Sequence, residues 1–246
     1  MDLITRGRVP TDIHYTLIGS GRLATHLLHY FRLCDLKFNT WSRKENDDLI
    51  EKIEESQYVL LAISDQAIEP FVSQRPYLHK KKLVHFSGSL AIDGLIGLHP
   101  LMTFIHELYE LEKYERIPFI GEIGQPTFAD VFPDLKNPWN QINRDLKPLY
   151  HALCVTGGNF SNLLWSEVLS NFRDKLDLNP SLLKPYIEQT FENIVNKPFN
   201  SFTGPLSRND RLTIDSNLRA LDSMPLQQIY SDFVKLHSHV LNNEVF

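Results

Sequence analysis

Two glycines with the spacing of a phosphate-binding turn stand near the start of the chain. The segment Gly19–Ala24 reads GSGRLA and lies between a short apolar segment and one with helical periodicity. In such a turn the glycines allow a tight bend and let a pyrophosphate approach the backbone N–H groups at the helix start. The predicted cofactor contacts are Gly19, Ser20, Gly21, Arg22 and Leu23. A purely structural strand–helix turn is the alternative interpretation.

The end of the second predicted strand carries a hydroxyl and two cations. A site for NAD usually has Asp or Glu about 20 residues beyond the glycines, where the acid binds the ribose 2′-hydroxyl. Here the chain instead has Ser42, Arg43 and Lys44. These groups suit a 2′-phosphate, so the segment predicts NADP rather than NAD, with Arg43 as the first phosphate ligand. The alternative is an exposed basic loop.

Hydroxyl groups also follow two other predicted strands. Ile63 and Ser64 end the third strand, and Ser87 ends the fourth. Open α/β sheets bind ligands at the carboxyl ends of their strands, so we expect ligand contacts at all three residues. The alternatives are local: Ser64 or, more favoured, Asp65 caps the next helix, and Ser87 holds a turn.

Three further residues could act on a substrate. His99 can exchange a proton near neutral pH, as reduction of a carbonyl or imine requires, or it is a structural histidine. The amide of Asn162 could bind a carbonyl or carboxylate, or bond a neighbouring helix. Arg208 could clamp an anionic substrate, and nearby Asp210 is expected to cap a helix. No metal site is predicted, because no histidine pair has a third ligand.

The elements that position these residues alternate between strands and helices. Apolar segments predict strands over 14–18, 37–41, 58–63 and 82–86, with added strands over 95–98 and 117–121. Helices are predicted over 22–31, 46–54 and 66–72. This alternation predicts an α/β Rossmann fold with a mostly parallel, doubly wound sheet.

The pattern changes near residue 137, where strand-like alternation ends. Helical periodicity then continues over 180–195, 210–221 and 226–241. We therefore predict a nucleotide-binding domain over residues 1–142 and an all-α domain for substrate binding and dimerisation over residues 143–246.

Composition limits the possible partners. The 246 residues carry a net charge of −5, which does not favour a nucleic-acid partner. The two cysteines form no CxxC pair, so reduced thiols are expected. No segment approaches the roughly 18 apolar residues of a membrane span. We therefore expect a cytoplasmic protein that acts on a small molecule and contacts neither nucleic acid nor membrane.

The order of these motifs resembles a known superfamily. GxGxxA, WSR, LLAISDQAI, VHFSGSL and GLHPLMTF follow one another as in the β-hydroxyacid dehydrogenase-like NADP-binding proteins. The later segments YHALCVTGGNFSNLLW and FTGPLSRNDRLTIDSNLRAL resemble the Rossmann-like proteins with a DUF2520 C-terminal domain. That group is similar in layout to pyrroline-5-carboxylate reductases and prephenate dehydrogenases.

The resemblance implies an NADP-linked oxidoreductase that forms a homodimer through its helical domain. It places Ile63 and Ser64 beside the nicotinamide ribose, His99 near the reactive ring, and Asn162 and Arg208 toward a substrate between the domains. The chain has Ser64 and Asn209 where the family usually has Pro and Gly. It also lacks the lysine that hydroxyacid dehydrogenases use on the helix that carries Asn162. A non-catalytic NADP-binding module on a reductase scaffold is therefore the alternative function.

Overall fold

A parallel sheet organises the first part of the chain. The computed structural model describes residues 11–44, 47–198 and 201–242. Five parallel strands have the order β2-β1-β3-β4-β5. Their bounds are β1 His14–Ile18, β2 Lys37–Trp41, β3 Tyr58–Leu61, β4 Lys82–His85 and β5 Leu95–Gly97. This arrangement confirms the predicted Rossmann fold.

Helices cover both faces of this sheet. Alternate residues of each strand point to opposite faces, and their apolar side chains pack against the helices on each side. Leu17 and Leu60 pack into a core with residues of helix α1, Arg22–Leu33. Ile18 and Leu61 pack into a second core with residues of α2 and α3. Those helices span Leu49–Ile53 and Asp65–Ser73. Two-sided burial explains why the central strands are almost continuously apolar.

A smaller sheet follows the first. Its strands β6 His99–Pro100, β7 Phe119–Glu122 and β8 Trp139–Ile142 have the order β6-β7-β8. Strand β7 was predicted as an added strand, and it joins this separate sheet. Strand β8 lies where no strand was predicted. Its residues are partly or fully exposed and include Asn140 and Gln141, so no apolar alternation marks it.

The predicted helical part is confirmed. Short helices α4 Leu111–Glu115 and α5 Phe128–Val131 come before it. It contains α6 Lys147–Cys154, α7 Phe160–Asp174, α8 Lys184–Asn196, α9 Gly204–Ser207, α10 Arg211–Ala220 and α11 Pro225–Asn242. A π-helical turn, Val155–Asn159, connects α6 to α7. None of the helices in the described ranges is both long and apolar enough to cross a membrane.

Two compact units divide the chain within α7. The first ends at Leu163 and the second begins at Leu164. The functional boundary between residues 142 and 143 stays a prediction. One predicted helix start, Asn46, lies outside the described residues, and α2 begins at Leu49 with the carboxylate of Asp48 accepting a hydrogen bond from the N–H of Ile50 at 2.8 Å.

Candidate functional site

A cavity of about 550 Å³ opens at the carboxyl ends of β1 and β3. Strand order reverses at this point, because β1 pairs with β2 on one side and with β3 on the other. Ligands bind in the crevice at such switch points in open α/β sheets. Ten of the predicted cofactor contacts lie in its lining: Gly19, Ser20, Gly21, Arg22, Leu23, Ser42, Arg43, Lys44, Ile63 and Ser64.

Gly19 forms the tight turn into the cavity wall. Its φ is +140°, a conformation that side chains rarely adopt, and its N–H donates to the carbonyl oxygen of Trp41 at 3.0 Å. A Cβ here would lie 2.2 Å from the carbonyl oxygen of Ala62. The bend therefore requires glycine for the structure itself.

Gly21 differs from Gly19, because the structure does not need its missing side chain. Its φ of −80° suits any residue, and a Cβ here would meet no atom within 4 Å. Gly21 is also the N-cap of α1, and no side chain of the described residues caps this helix. The bare backbone and the uncapped N-terminus leave a cradle that a phosphate group fits.

The cavity wall is cationic. Its lining includes four basic side chains: Arg22, Arg43, Lys44 and Arg75. Among the described lining residues none is acidic. Ser42 is buried beside them, whereas Arg43 and Lys44 are exposed. Several cations beside an uncapped helix N-terminus suit an anion with more than one phosphate.

Arg75 is a further cation of the wall that was not predicted from the sequence. The guanidinium of Arg75 lies 4.1 Å from the ring centroid of Phe71, and its Nη1 donates to the carbonyl oxygen of the same residue at 3.2 Å. Phe71 in turn contacts Trp41, with ring centroids 5.9 Å apart. The ring contact and the hydrogen bond with Phe71 hold the guanidinium of Arg75 against the cavity wall. The basic residue just after the third predicted helix was the available sequence signal.

Ser87 lies outside the cavity lining and is buried. Its hydroxyl donates to Oδ2 of Asp65 at 2.6 Å and accepts a hydrogen bond from the N–H of Leu90 at 3.0 Å. This geometry supports the alternative interpretation of Ser87 as a turn hydroxyl. The expected cap at Asp65 is wrong, because Asp65 is already helical and its carboxylate accepts the Ser87 hydroxyl instead.

His99 is held by a tyrosine of helix α6. Its Nδ1 lies 2.7 Å from the hydroxyl of Tyr150. Burial, followed by the nearby His151 and Lys147, lowers the pKa of His99 to about 4. The ring is therefore neutral at pH 7, because burial disfavours the charged form, and proton exchange by His99 stays a prediction.

A buried ion pair lies beneath the same strand ends. Nζ of Lys147 donates to Oε1 of Glu122 at 2.8 Å, and both side chains are almost fully buried. A Cβ at Gly97 would lie 2.5 Å from that oxygen and 2.6 Å from that nitrogen. Next to them is His85, whose Nε2 is the one buried side-chain polar atom of the described residues without a hydrogen-bond partner. Burial lowers the pKa of His85 to about 4.

The two predicted substrate residues lie further along the chain. Asn162 is exposed on α7 in the first unit, and Arg208 is exposed after α9 in the second. Their roles stay predictions. The predicted helix cap at Asp210 is confirmed, because its Oδ1 accepts a hydrogen bond from the N–H of Thr213 at 3.1 Å.

Comparison with protein families identifies the later part of the chain. Residues 122–236 match the family described as domain of unknown function, DUF2520. This part of the chain is therefore similar to a DUF2520 domain. This confirms the resemblance, and the match begins at Glu122, so the DUF2520 segment contains both partners of the buried ion pair. No curated protein matches the chain by sequence.

Several solved structures share the fold of this chain. A Bacteroides fragilis protein, described provisionally as an NADP oxidoreductase, is 21% identical with a TM-score of 0.72, and the match covers 92% of this chain and 98% of that one. A Thermotoga maritima protein is also 21% identical, with a TM-score of 0.66 and coverage of 94% and 99%. An imine reductase from Myxococcus stipitatus in complex with NADP⁺ is 11% identical, with a TM-score of 0.60 and coverage of 94% and 95%.

Proposed function

We propose that this protein binds NADP(H) in the cavity at the carboxyl ends of β1 and β3 and acts as an NADP-dependent oxidoreductase. The observation that carries the proposal is the open backbone at Gly21 beside a cationic wall without a described acid. Similar folds include an imine reductase in complex with NADP⁺, which supports the choice of cofactor. When bound, the cofactor supplies or accepts a hydride.

Each part of the cavity has a role in this proposal. The N–H groups that begin α1 bind the pyrophosphate, since its uncapped N-terminus attracts anions. Arg43, with Ser42 and Lys44, binds the 2′-phosphate through charge-assisted hydrogen bonds. Ile63 and Ser64 line the cavity where it follows β3, and they would contact the nicotinamide ribose.

The substrate is a small carbonyl, imine or hydroxy compound. His99 faces it from the carboxyl edge of the sheet, and its neutral ring orients the reacting group rather than supplying an imidazolium proton. Arg208 and Asn162 are proposed to hold the polar groups of the substrate by their guanidinium and amide.

We also propose that the protein is a homodimer formed through its helical part. Helix α8 has no buried residue, and several large apolar side chains on it are exposed. They are Tyr186, Phe191, Ile194 and Val195. A second copy would cover such a surface. Light scattering should give twice the 28.5 kDa of the chain, and a monomer would contradict this assembly.

Both cysteines are free thiols, which suits the proposed cytoplasmic location.

Fluorescence titration with NADPH and NADH tests the cofactor choice. We expect NADPH to bind at least about tenfold more tightly, since charged hydrogen bonds contribute about 1.5–3 kcal/mol. Arg43→Ala should remove most of this preference and leave NADH affinity nearly unchanged. Arg32→Ala removes an exposed arginine outside the cavity and is the matched control. Equal affinities in the unmodified protein would refute the assignment.

A non-catalytic NADP-binding module is the second candidate. The low pKa of His99 favours it, because a neutral imidazole has no imidazolium proton to supply, and the ammonium of Lys147 is already paired with Glu122 in a buried position. NADPH oxidation measured with a panel of carbonyl and imine compounds separates the two functions. Turnover that falls sharply in His99→Gln supports the enzyme. Tight NADPH binding without turnover on any compound supports the module.

A further inference from the structure

Among the described residues, one ring nitrogen of His99 has a hydrogen-bond partner and the other has none. The Nδ1 atom lies 2.7 Å from the hydroxyl of Tyr150, and the two rings meet edge-on at 81°. Within the described part of the chain, Nε2 makes no hydrogen bond. Both residues belong to the first compact unit, so this pair is a feature of a single body.

The backbone of Gly88 lies directly against this histidine. A Cβ at Gly88 would lie 3.0 Å from Nε2 and Cδ2 of His99, and 2.5 Å from Cδ2 of His151. Gly88 follows β4, so the unpartnered Nε2 lies near the carboxyl ends of the parallel strands. Ligands of open α/β sheets bind along that edge.

The Tyr150–His99 hydrogen bond has a preferred direction. A phenol hydroxyl donates readily, and the unprotonated nitrogen of a neutral imidazole is its natural acceptor. In the reverse arrangement the Tyr150 hydrogen would need another acceptor, and the neighbouring thiol of Cys154 is a weak one. Tyr150 as donor leaves the His99 proton on Nε2. Burial keeps the His99 ring neutral, so the ring holds only one proton to place.

We propose that Tyr150 is a positioning residue that fixes His99 in its Nε2–H tautomer, and that this N–H donates a hydrogen bond to the oxygen of a carbonyl substrate. The substrate class rests on the proposed NADP-dependent activity; the tautomer does not. No role for Tyr150 follows from the sequence motifs, because its pairing with His99 depends on the packing of α6 against the strand ends.

The chemistry of reduction favours a carbonyl over an imine at this donor. The carbonyl carbon accepts a hydride from the reduced nicotinamide, the π electrons of the C=O bond move to oxygen, and the oxygen then takes a proton from water. Negative charge develops on that oxygen, and a fixed N–H stabilises it. An iminium ion carries positive charge and its own N–H. The N–H of His99 would therefore face another donor and could not stabilise this ion. The carboxylate of Asp65 is not free to pair with such an ion, because it already accepts hydrogen bonds from the hydroxyls of Ser87 and Ser89.

Nitrogen-15 NMR of the histidine rings measures the tautomer directly and needs no substrate. The His99 signals are assigned by their loss in His99→Gln. We expect a pyrrole-like Nε2 and a pyridine-like Nδ1 in the unmodified protein. Tyr150→Phe should shift the ring toward a tautomer mixture. Tyr58→Phe is the matched control, because that hydroxyl bonds the carbonyl oxygen of Asp130 instead. A protonated Nδ1 in the unmodified protein, or no change in Tyr150→Phe, would overturn the positioning role.

Kinetics with ring-matched probes tests the substrate class. NADPH oxidation is followed with cyclopentanone and with 1-pyrroline. We expect the ketone to react in preference, and Tyr150→Phe to lower kcat roughly tenfold with little change in KM, less than the roughly 100-fold fall expected for His99→Gln. Reaction of 1-pyrroline alone, or an unchanged kcat in Tyr150→Phe, would overturn the donor role. Failure to bind NADPH would refute the proposed function and leave the NMR result standing.

Discussion

Adding one methyl group at Gly21 separates cofactor binding from folding. Gly21→Ala meets no atom within 4 Å and keeps an ordinary φ of −80°, so the free energy of unfolding should change by less than about 1 kcal/mol. The methyl group would occupy the space through which a phosphate approaches the N–H groups of α1. Losing one or two charge-assisted hydrogen bonds would weaken NADPH binding by about 2–4 kcal/mol, roughly 30- to 700-fold.

Gly19→Ala is the contrasting variant in the same turn. Its methyl group would lie 2.2 Å from the carbonyl oxygen of Ala62 at a φ of +140°. Crowding and backbone strain should lower the free energy of unfolding by about 2–5 kcal/mol. Thermal unfolding measures stability, and fluorescence titration measures NADPH affinity. A folded Gly21→Ala that binds NADPH within about threefold of the unmodified protein would refute the phosphate cradle.

Two further predictions concern the buried groups beneath the strand ends. Lys147→Met should lower the free energy of unfolding in urea by about 3–5 kcal/mol, because it leaves the carboxylate of Glu122 buried without its partner. Adding Glu122→Leu should restore much of that loss, and a double variant no more stable than Lys147→Met would contradict this view of the pair. His85 has a pKa of about 4 in the folded protein and 6.5 as its ordinary value. The contribution of His85 to the free energy of unfolding is constant above pH 6.5. It falls by about 3 kcal/mol as the pH drops toward 4, because in this range only the unfolded chain takes up the proton. Unfolding curves of the unmodified protein and His85→Gln that stay parallel through this range would contradict it.

Local sequence patterns predict residues that line the cavity at the carboxyl ends of β1 and β3. The turn at Gly19 and the basic segment at Arg43 each lie beside a predicted strand, and parallel strands bring their carboxyl ends to one edge. Once the strands are placed, ten predicted contacts must fall close together. The central strands are easy to predict because both of their faces are buried.

The rest of the candidate site depends on contacts that sequence patterns do not carry. Glu122 and Lys147 meet only because the fold brings the end of β7 to the start of α6, and neither residue belongs to a recognisable motif. The pKa of His99 is set by burial and by its neighbours, which no spacing reveals. Strand β8 escapes prediction because its side chains include exposed polar groups.

The most direct test of the cofactor assignment uses only the adenosine end of the ligand. Calorimetric titration compares adenosine 2′,5′-bisphosphate with 5′-AMP, which differ by the 2′-phosphate alone. The cationic wall at Arg43 predicts that the bisphosphate binds at least about tenfold more tightly, and that Arg43→Ala brings the two affinities together. Equal binding of both nucleotides by the unmodified protein would contradict a 2′-phosphate site and, with it, the NADP assignment.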